Sequence, residues 1–223
     1  KARASRYRIQ MTDKAGEIID MQDPYAAPSI FSDLDRHLVG EGRHHRLYER
    51  LGAQPRIIDN ANGVNFAVWA PNADTVSVVG DFNGWDGRLH QMENRNSSGI
   101  WELFVPNIPL GALYKFRVHS RGQHHDKSDP YGFAAEHPPQ TASQVVDLCQ
   151  YEWGDTDWMA RRTDVNALSS PLCIYEVHLG SWRRSDTDPN RWMSYRDLER
   201  ELIPYCVEMG FTSKNLPKDK SYG

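Results

Sequence analysis

Apolar and polar positions alternate along the middle of the chain with a period of two. In Val64-Asn65-Phe66-Ala67-Val68-Trp69, the residues Val64, Phe66 and Val68 share one face, the pattern of a strand laid on a core. Val76, Val78 and Gly80 continue it. Beyond the turn signal Asn83-Gly84 come Trp101, Leu103 and Val105, then Tyr114, Phe116 and Val118. Short alternating strands with turns between them predict an antiparallel sandwich of roughly 100 residues with immunoglobulin-like topology. Trp69 and Trp101 stand on strand positions and are read as packing residues, in the core or at an interface.

From Ser194 the period lengthens. Tyr195, Leu198, Leu202, Tyr205 and Met209 recur at three and four residues, the stripe of an amphipathic helix. Ser194 with Asp197 resembles a capping box, Gly210 stands where a helix stops, and Pro204 is expected to kink the helix by removing a backbone donor. Upstream, Cys173 to Leu179 predicts a strand. Strand, loop, helix and then Phe211-Thr212 suggest the first unit of a parallel β/α fold.

The chain also repeats itself. Tyr7-Arg8-Ile9-Gln10-Met11, a turn at Gly16 and Asp23-Pro24-Tyr25 are echoed by Tyr114-Lys115-Phe116-Arg117-Val118, a turn at Gly122 and Asp129-Pro130-Tyr131. Each copy reads as strand, glycine turn, extended segment and Asp-Pro turn. The chain is expected to hold the tail of one β-module followed by a whole second one, and to start inside a domain at Lys1.

Seven Trp and ten Tyr suit both sandwich cores and surfaces that stack on sugars. A net charge of −4 gives no footprint for a polyanion, so nucleic acid is not an expected partner and a neutral ligand fits better. Cys149, Cys173 and Cys206 are odd in number and lack metal-ligand spacing, which argues against a disulfide framework or a zinc site. His44-His45 and His124-His125 are adjacent pairs whose side chains diverge on a strand, so no metal or other cofactor is expected. With no apolar run of about 18 residues and no signal-peptide core, no membrane association is expected and the cytoplasm is the expected compartment.

Phe66-Ala67-Val68-Trp69-Ala70-Pro71-Asn72-Ala73, Val78 to Asp86, Gly99-Ile100-Trp101-Glu102-Leu103-Phe104 and Tyr114-Lys115-Phe116 together resemble the carbohydrate-binding module of bacterial-type glycogen (1,4-α-glucan) branching enzymes, in the α-amylase superfamily. Ile174-Tyr175-Glu176-Val177-His178-Leu179-Gly180-Ser181-Trp182-Arg183-Arg184 looks like the first strand and loop of their catalytic barrel. The resemblance implies a mainly β chain: an immunoglobulin-like β-sandwich preceded by the tail of a second β-module and followed by the first βα piece of an incomplete (β/α)8 barrel. The domains expected are 1–52 (tail of the first module and junction), 53–150 (binding module), 151–170 (linker) and 171–223 (start of the barrel). After Thr212 the resemblance fails; the polar stretch 213–223 is read as truncation, frameshift or divergence and makes a poor buried strand.

These enzymes transfer α-1,4-glucan segments to form α-1,6 branches by a retaining mechanism. That mechanism needs two carboxyl groups about 5 Å apart, drawn from different barrel strands. The family's carboxylates lie on later strands, so no catalytic residue is assigned, and the chain by itself is expected to bind α-glucan or glycogen at most. Arg162-Thr163-Asp164 only superficially resembles a nucleophile motif, and Tyr175, Glu176 and His178 are read as structural. Trp85 and Lys115 match positions that contact glucan in related modules. A second stacking tryptophan is missing, with Gly122-Gln123-His124-His125-Asp126 in its place. Two alternatives stand beside this reading: a stand-alone glycogen-targeting module, and a fragment of a debranching or trehalose-releasing hydrolase. Oligomeric state is left open.

Overall fold

The computed structural model describes residues 7–12, 16–94, 98–165, 168–185, 188 and 190–215. They fall into two compact units, 1–151 and 152–223. The first begins with a hairpin of β1 (Ile9–Thr12) and β2 (Ile18–Met21), followed by a capped helix α1 (Asp33–Gly40). The sandwich itself comprises β3 (Gly52–Ile58), β4 (Ala61–Trp69), β5 (Thr75–Gly80), β6 (Glu93–Asn94), β7 (Ile100–Pro106), β8 (Leu113–Ser120), β9 (Gln123–Lys127), β10 (Ala134–Ala135) and β11 (Ser143–Gln144). One sheet runs β3-β4-β7-β6; the other runs β10-β11-β8-β5, with β9 also paired to β8.

Alternation explains the core. Val64, Phe66, Val68, Val76, Val78, Trp101, Leu103, Val105, Tyr114 and Phe116 are all buried between the two sheets, as their period of two demands. Phe66 lies at the centre, with Tyr114 edge-on at 5.1 Å and Phe82 stacked at 5.8 Å. Trp101 is buried, and its indole donates to the carbonyl of Ala70 at 3.0 Å. Trp69 lies outside the core, 58% exposed. One residue beyond Val68, it takes the opposite face of β4.

That opposite face is covered by the junction segment. Phe31, Leu51, Ala67 and Ile100 form a second apolar cluster there. The segment is pinned by Glu102, 1% exposed, which accepts from Ser29 Oγ at 2.5 Å, Ile30 N–H at 2.8 Å and Asn65 Nδ2 at 3.2 Å.

Helix α1 is held by Asp35. Its carboxylate accepts from the Ser32 N–H and hydroxyl and meets His44 Nε2 at 2.8 Å and Arg50 Nε at 3.3 Å, so His44 serves as a structural partner. Burial opposes ionisation of Asp35. Hydrogen bonds from His44 and Ser32 and the Arg50 charge outweigh it and hold the carboxyl well below the usual range. A depressed folded-state pKa gives stabilisation that is complete above the unfolded value of about 4 and is lost as pH falls through the folded value. Asp35→Asn is therefore expected to cost about 1–3 kcal/mol at neutral pH and to flatten the decline of stability below about pH 4. Urea titrations at neutral and acid pH check this; an equal loss at both would contradict it.

The internal repeat is present in three dimensions. Ile9 pairs with Met21 and Gln10 with Asp20 in the first hairpin; Phe116 pairs with Lys127 and Arg117 with Asp126 in the second. Tyr7 donates its hydroxyl to Asp23, and Tyr114 donates its own to Asp129. In both copies the same carboxylate accepts the N–H two residues on, from Tyr25 at 2.9 Å and from Tyr131 at 2.8 Å.

In the second unit, the stretch 151–170, read as a polar linker, carries helix α2 (Thr156–Val165). Met159, Ala160, Arg161 and Arg162 are good helix formers, and no apolar stripe advertises them. Strand β12 (Ile174–Glu176) is followed by α3 (Tyr195–Glu208), with the Ser194–Asp197 capping box formed and Pro204 inside the helix. Val177, Leu198 and Leu202 pack with Met193 and Cys206 into a cluster of their own, whereas Ile174, Tyr195 and Met209 are exposed. The expected stripe is thus rotated, centred on Leu198, Leu202 and Cys206. Ser213–Asn215 forms β13, parallel to β12, so the backbone completes a β-α-β unit where a poor strand was expected. Residues 216–223 lie outside the described residues. Among the described residues, no helix is long and apolar enough to cross a membrane.

Candidate glucan-binding face

The outer face of the five-stranded sheet is set by the residues that alternate with the core. On β8 these are Lys115, Arg117 and His119; on β5 they are Val79, Ser77 and Thr75, in direct register with them. His124 and Asp126 of β9 continue the row beside His119 and Arg117.

Trp85 stands at the head of this face on a tightly specified turn. Asn83, buried, accepts from Gly80 N–H at 2.9 Å and donates to the Val78 carbonyl at 3.0 Å, closing the short 3-10 segment Asp81–Asn83. Gly84 follows with φ +59, and Trp85 itself has φ +60, a left-handed backbone that a bulky residue adopts at a cost of roughly 1 kcal/mol or more. Its N–H is tied to the Gly80 carbonyl at 3.0 Å, and its indole N–H donates to Asp81 at 3.2 Å. Gly80 pairs with Tyr114, the residue next to Lys115. Backbone pairing therefore puts the Trp85 turn and Lys115 at one end of the same face. Lys115 Nζ donates to Thr141 Oγ1 at 2.9 Å.

Gly80 is required at this point. A Cβ there would lie 2.2 Å from the Leu113 carbonyl oxygen and 2.6 Å from the Phe82 ring.

Beyond Trp85 the face becomes a groove of about 360 Å³ lined by Ser77, Asp86, Arg88, Arg117, His119 and His124, among others. Its volume falls within the usual range of small-molecule sites. Both arginines are paired in two-pronged fashion, Arg88 with Asp86 (2.6 to 3.1 Å) and Arg117 with Asp126 (2.7 and 2.8 Å). The Arg88 side chain and backbone hold the Asp86 carboxyl down at about 2, and Arg117 lowers Asp126. The strip is thus charge-balanced and dense in hydrogen-bonding groups, which suits a neutral polyhydroxyl ligand better than an ion. His124, from the stretch that stands where a second tryptophan was expected, lines this groove. Arg88 and Arg117 were not singled out from sequence, although the alternation Lys115, Arg117, His119 marks an outward polar row.

The remaining candidates lie elsewhere. Arg162 to Asp164 sit on exposed turns of α2. Tyr175 is packed beside Tyr205 and Phe211, Glu176 is exposed, and His178 Nδ1 meets Ser181 Oγ at 2.7 Å. Among the described residues, no group of three His, Cys, Asp or Glu could hold a metal ion.

The aromatic turn, the polar strip and most of the β-sandwich fall within residues 50–132, which match carbohydrate-binding module 48, the isoamylase N-terminal domain. The chain is 53% identical over 213 residues to 1,4-alpha-glucan branching enzyme GlgB of Rhodopirellula baltica, covering 95% of this chain and 29% of that enzyme. It is 48% identical over 226 residues to the GlgB of Gloeobacter violaceus, covering 97% and 31%. A solved putative alpha amylase from Salmonella typhimurium shares the fold, with a TM-score of 0.53 at 22% identity over 74% of this chain and 24% of its own. Over 95% or more of its length the chain is similar to GlgB-type 1,4-alpha-glucan branching enzymes, and it spans about 30% of the length of the curated relatives it matches.

Proposed function

We propose that the sandwich over 53–150 binds α-1,4-glucan or glycogen on the outer face of its five-stranded sheet. Trp85 stacks on a glucose ring, Lys115 donates to its hydroxyls, and the Arg88–Arg117–His124 strip carries the chain onward. The observation that carries this reading is the strained left-handed backbone of Trp85, fixed by Asn83 at the head of the polar groove. We assign the enzyme of which this chain is a part to the transfer of α-1,4-glucan segments into α-1,6 branches, in the cytoplasm, with residues 171–223 as the start of its (β/α)8 barrel. The parallel β12-α3-β13 unit supports this over a stand-alone targeting module. The chain alone is expected to supply affinity without catalysis and to leave the iodine spectrum of amylose unchanged.

A half-buried ring stacking its open face on a sugar contributes about 1 kcal/mol, so Trp85→Ala is expected to weaken glycogen binding roughly fivefold. Affinity electrophoresis in glycogen-containing gels measures it. Equal retardation of wild type and variant, both folded by circular dichroism, would leave Trp85 a purely structural residue.

A further inference from the structure

A second concavity lies within the first unit and shares no lining residue with the face just described. It has a volume of about 420 Å³ and is enclosed by the short helical turn Leu47–Glu49, strand β3 and the chain leaving the sandwich at 146–149. Its aromatic surface comes from Tyr48, 49% exposed, and half-buried Phe133. Gln54, Arg56, Asp147 and Cys149 supply the polar and thiol groups.

The walls are fixed in place. Gln54 Nε2 donates to the carbonyls of Tyr48 (2.8 Å) and Leu51 (2.9 Å), and Arg56 Nη2 donates to that of Glu49 (3.1 Å). Asp147 accepts from the Cys149 N–H at 2.9 Å. The lining holds two arginines, Arg50 and Arg56, and two carboxylates, Glu49 and Asp147, and so carries no net charge. A concave, pre-formed site with aromatic faces, hydrogen-bonding groups of both kinds and balanced charge selects a neutral, hydroxyl-rich ring system.

We propose that this groove is a second α-glucan site, separate from the Trp85 face and built where the junction segment meets the sandwich. The choice of α-glucan as occupant rests on the function proposed above. Two sites on one rigid module raise the avidity for a branched, many-ended polymer above what either gives alone.

Cys149 reports on the groove without any mutation. Its thiol is exposed and lines the site, while Cys173, exposed in the other unit, serves as an internal control. The full chain is alkylated with iodoacetamide in the presence and absence of maltoheptaose, and each cysteine is followed by peptide mass spectrometry. With the sugar at about four times its dissociation constant, Cys149 is expected to react about fivefold more slowly while Cys173 is unchanged. Protection should persist in Trp85→Ala and vanish in Tyr48→Ala. If Cys149 reacts at the same rate with and without sugar in a chain that glycogen gels retard, the groove is not a glucan site and the Trp85 reading stands alone. Protection that disappears in Trp85→Ala would likewise overturn the second site. Protection of Cys149 together with equal retardation of wild type and Trp85→Ala would instead uphold the groove and remove the Trp85 site.

Discussion

Replacing Phe66 with alanine is expected to destabilise the sandwich by about 3–5 kcal/mol, the range for emptying an aromatic site in a core that cannot collapse around it. Phe66 is fully buried, and it touches aromatic rings from both β8 and the turn that carries Trp85. Domains of this size are stable by about 5–15 kcal/mol, so the loss consumes a large part of the total. The midpoint of urea unfolding should fall steeply with little change in slope. Because Phe82 rests on Phe66, the variant should also bind glycogen more weakly under conditions where it remains folded. An unchanged urea midpoint would show that the two sheets are not held together through this ring.

Glu102→Ala should be nearly as damaging, for a different reason. Three donors, the Ser29 hydroxyl, the Ile30 N–H and the Asn65 amide, converge on its buried carboxylate. At about 1 kcal/mol for each lost acceptor, the expected cost is about 3 kcal/mol. The loss is also local. The junction segment should detach from the outer face of the four-stranded sheet, and trypsin should cut early at Arg36 and Arg43, which Glu102→Gln should partly prevent by keeping one oxygen acceptor. Limited digestion followed by mass spectrometry reads this directly; an unchanged digestion order in Glu102→Ala would mean that the apolar cluster of Phe31, Leu51 and Ile100 suffices to hold the segment.

The period-two pattern disclosed which face of each sandwich strand is buried, because the side-chain period of a strand is fixed by its geometry and a packed core tolerates no polar exception without a partner. Glu102 is the instructive case. On pattern alone it sits on a solvated face, and nothing local reveals that a segment more than seventy residues away covers it. Helix α2 escaped for the complementary reason, since an exposed helix leaves no apolar stripe. Val177, Leu198 and Leu202 are buried by one strand, one helix and the loop between them, whereas Ile174 stays exposed. Of the candidate site, Trp85 and Lys115 were legible through resemblance and the Asn-Gly-Trp turn. The arginine strip was legible only as alternation, and the groove at Tyr48 and Phe133 not at all, because the fold alone brings residues 48–56 against 133 and 146–149.

The two Tyr–Asp locks have a mechanical consequence. Each ties the start of a hairpin to the chain just past its end, so the lock and the strand ladder bear load in parallel. A pull on the Asp23 or Asp129 turn is shared with the tyrosine at the root of the strand before the hairpin can unzip from its open end. In the second copy, Tyr114 and Asp129 are both buried, and burial together with the neighbouring carboxylate raises the tyrosine pKa. In the first copy, Tyr7 is half exposed. One fastening is shielded from water and the other is open to it, so under tension the hairpin of β1 and β2 is the weaker link of the pair.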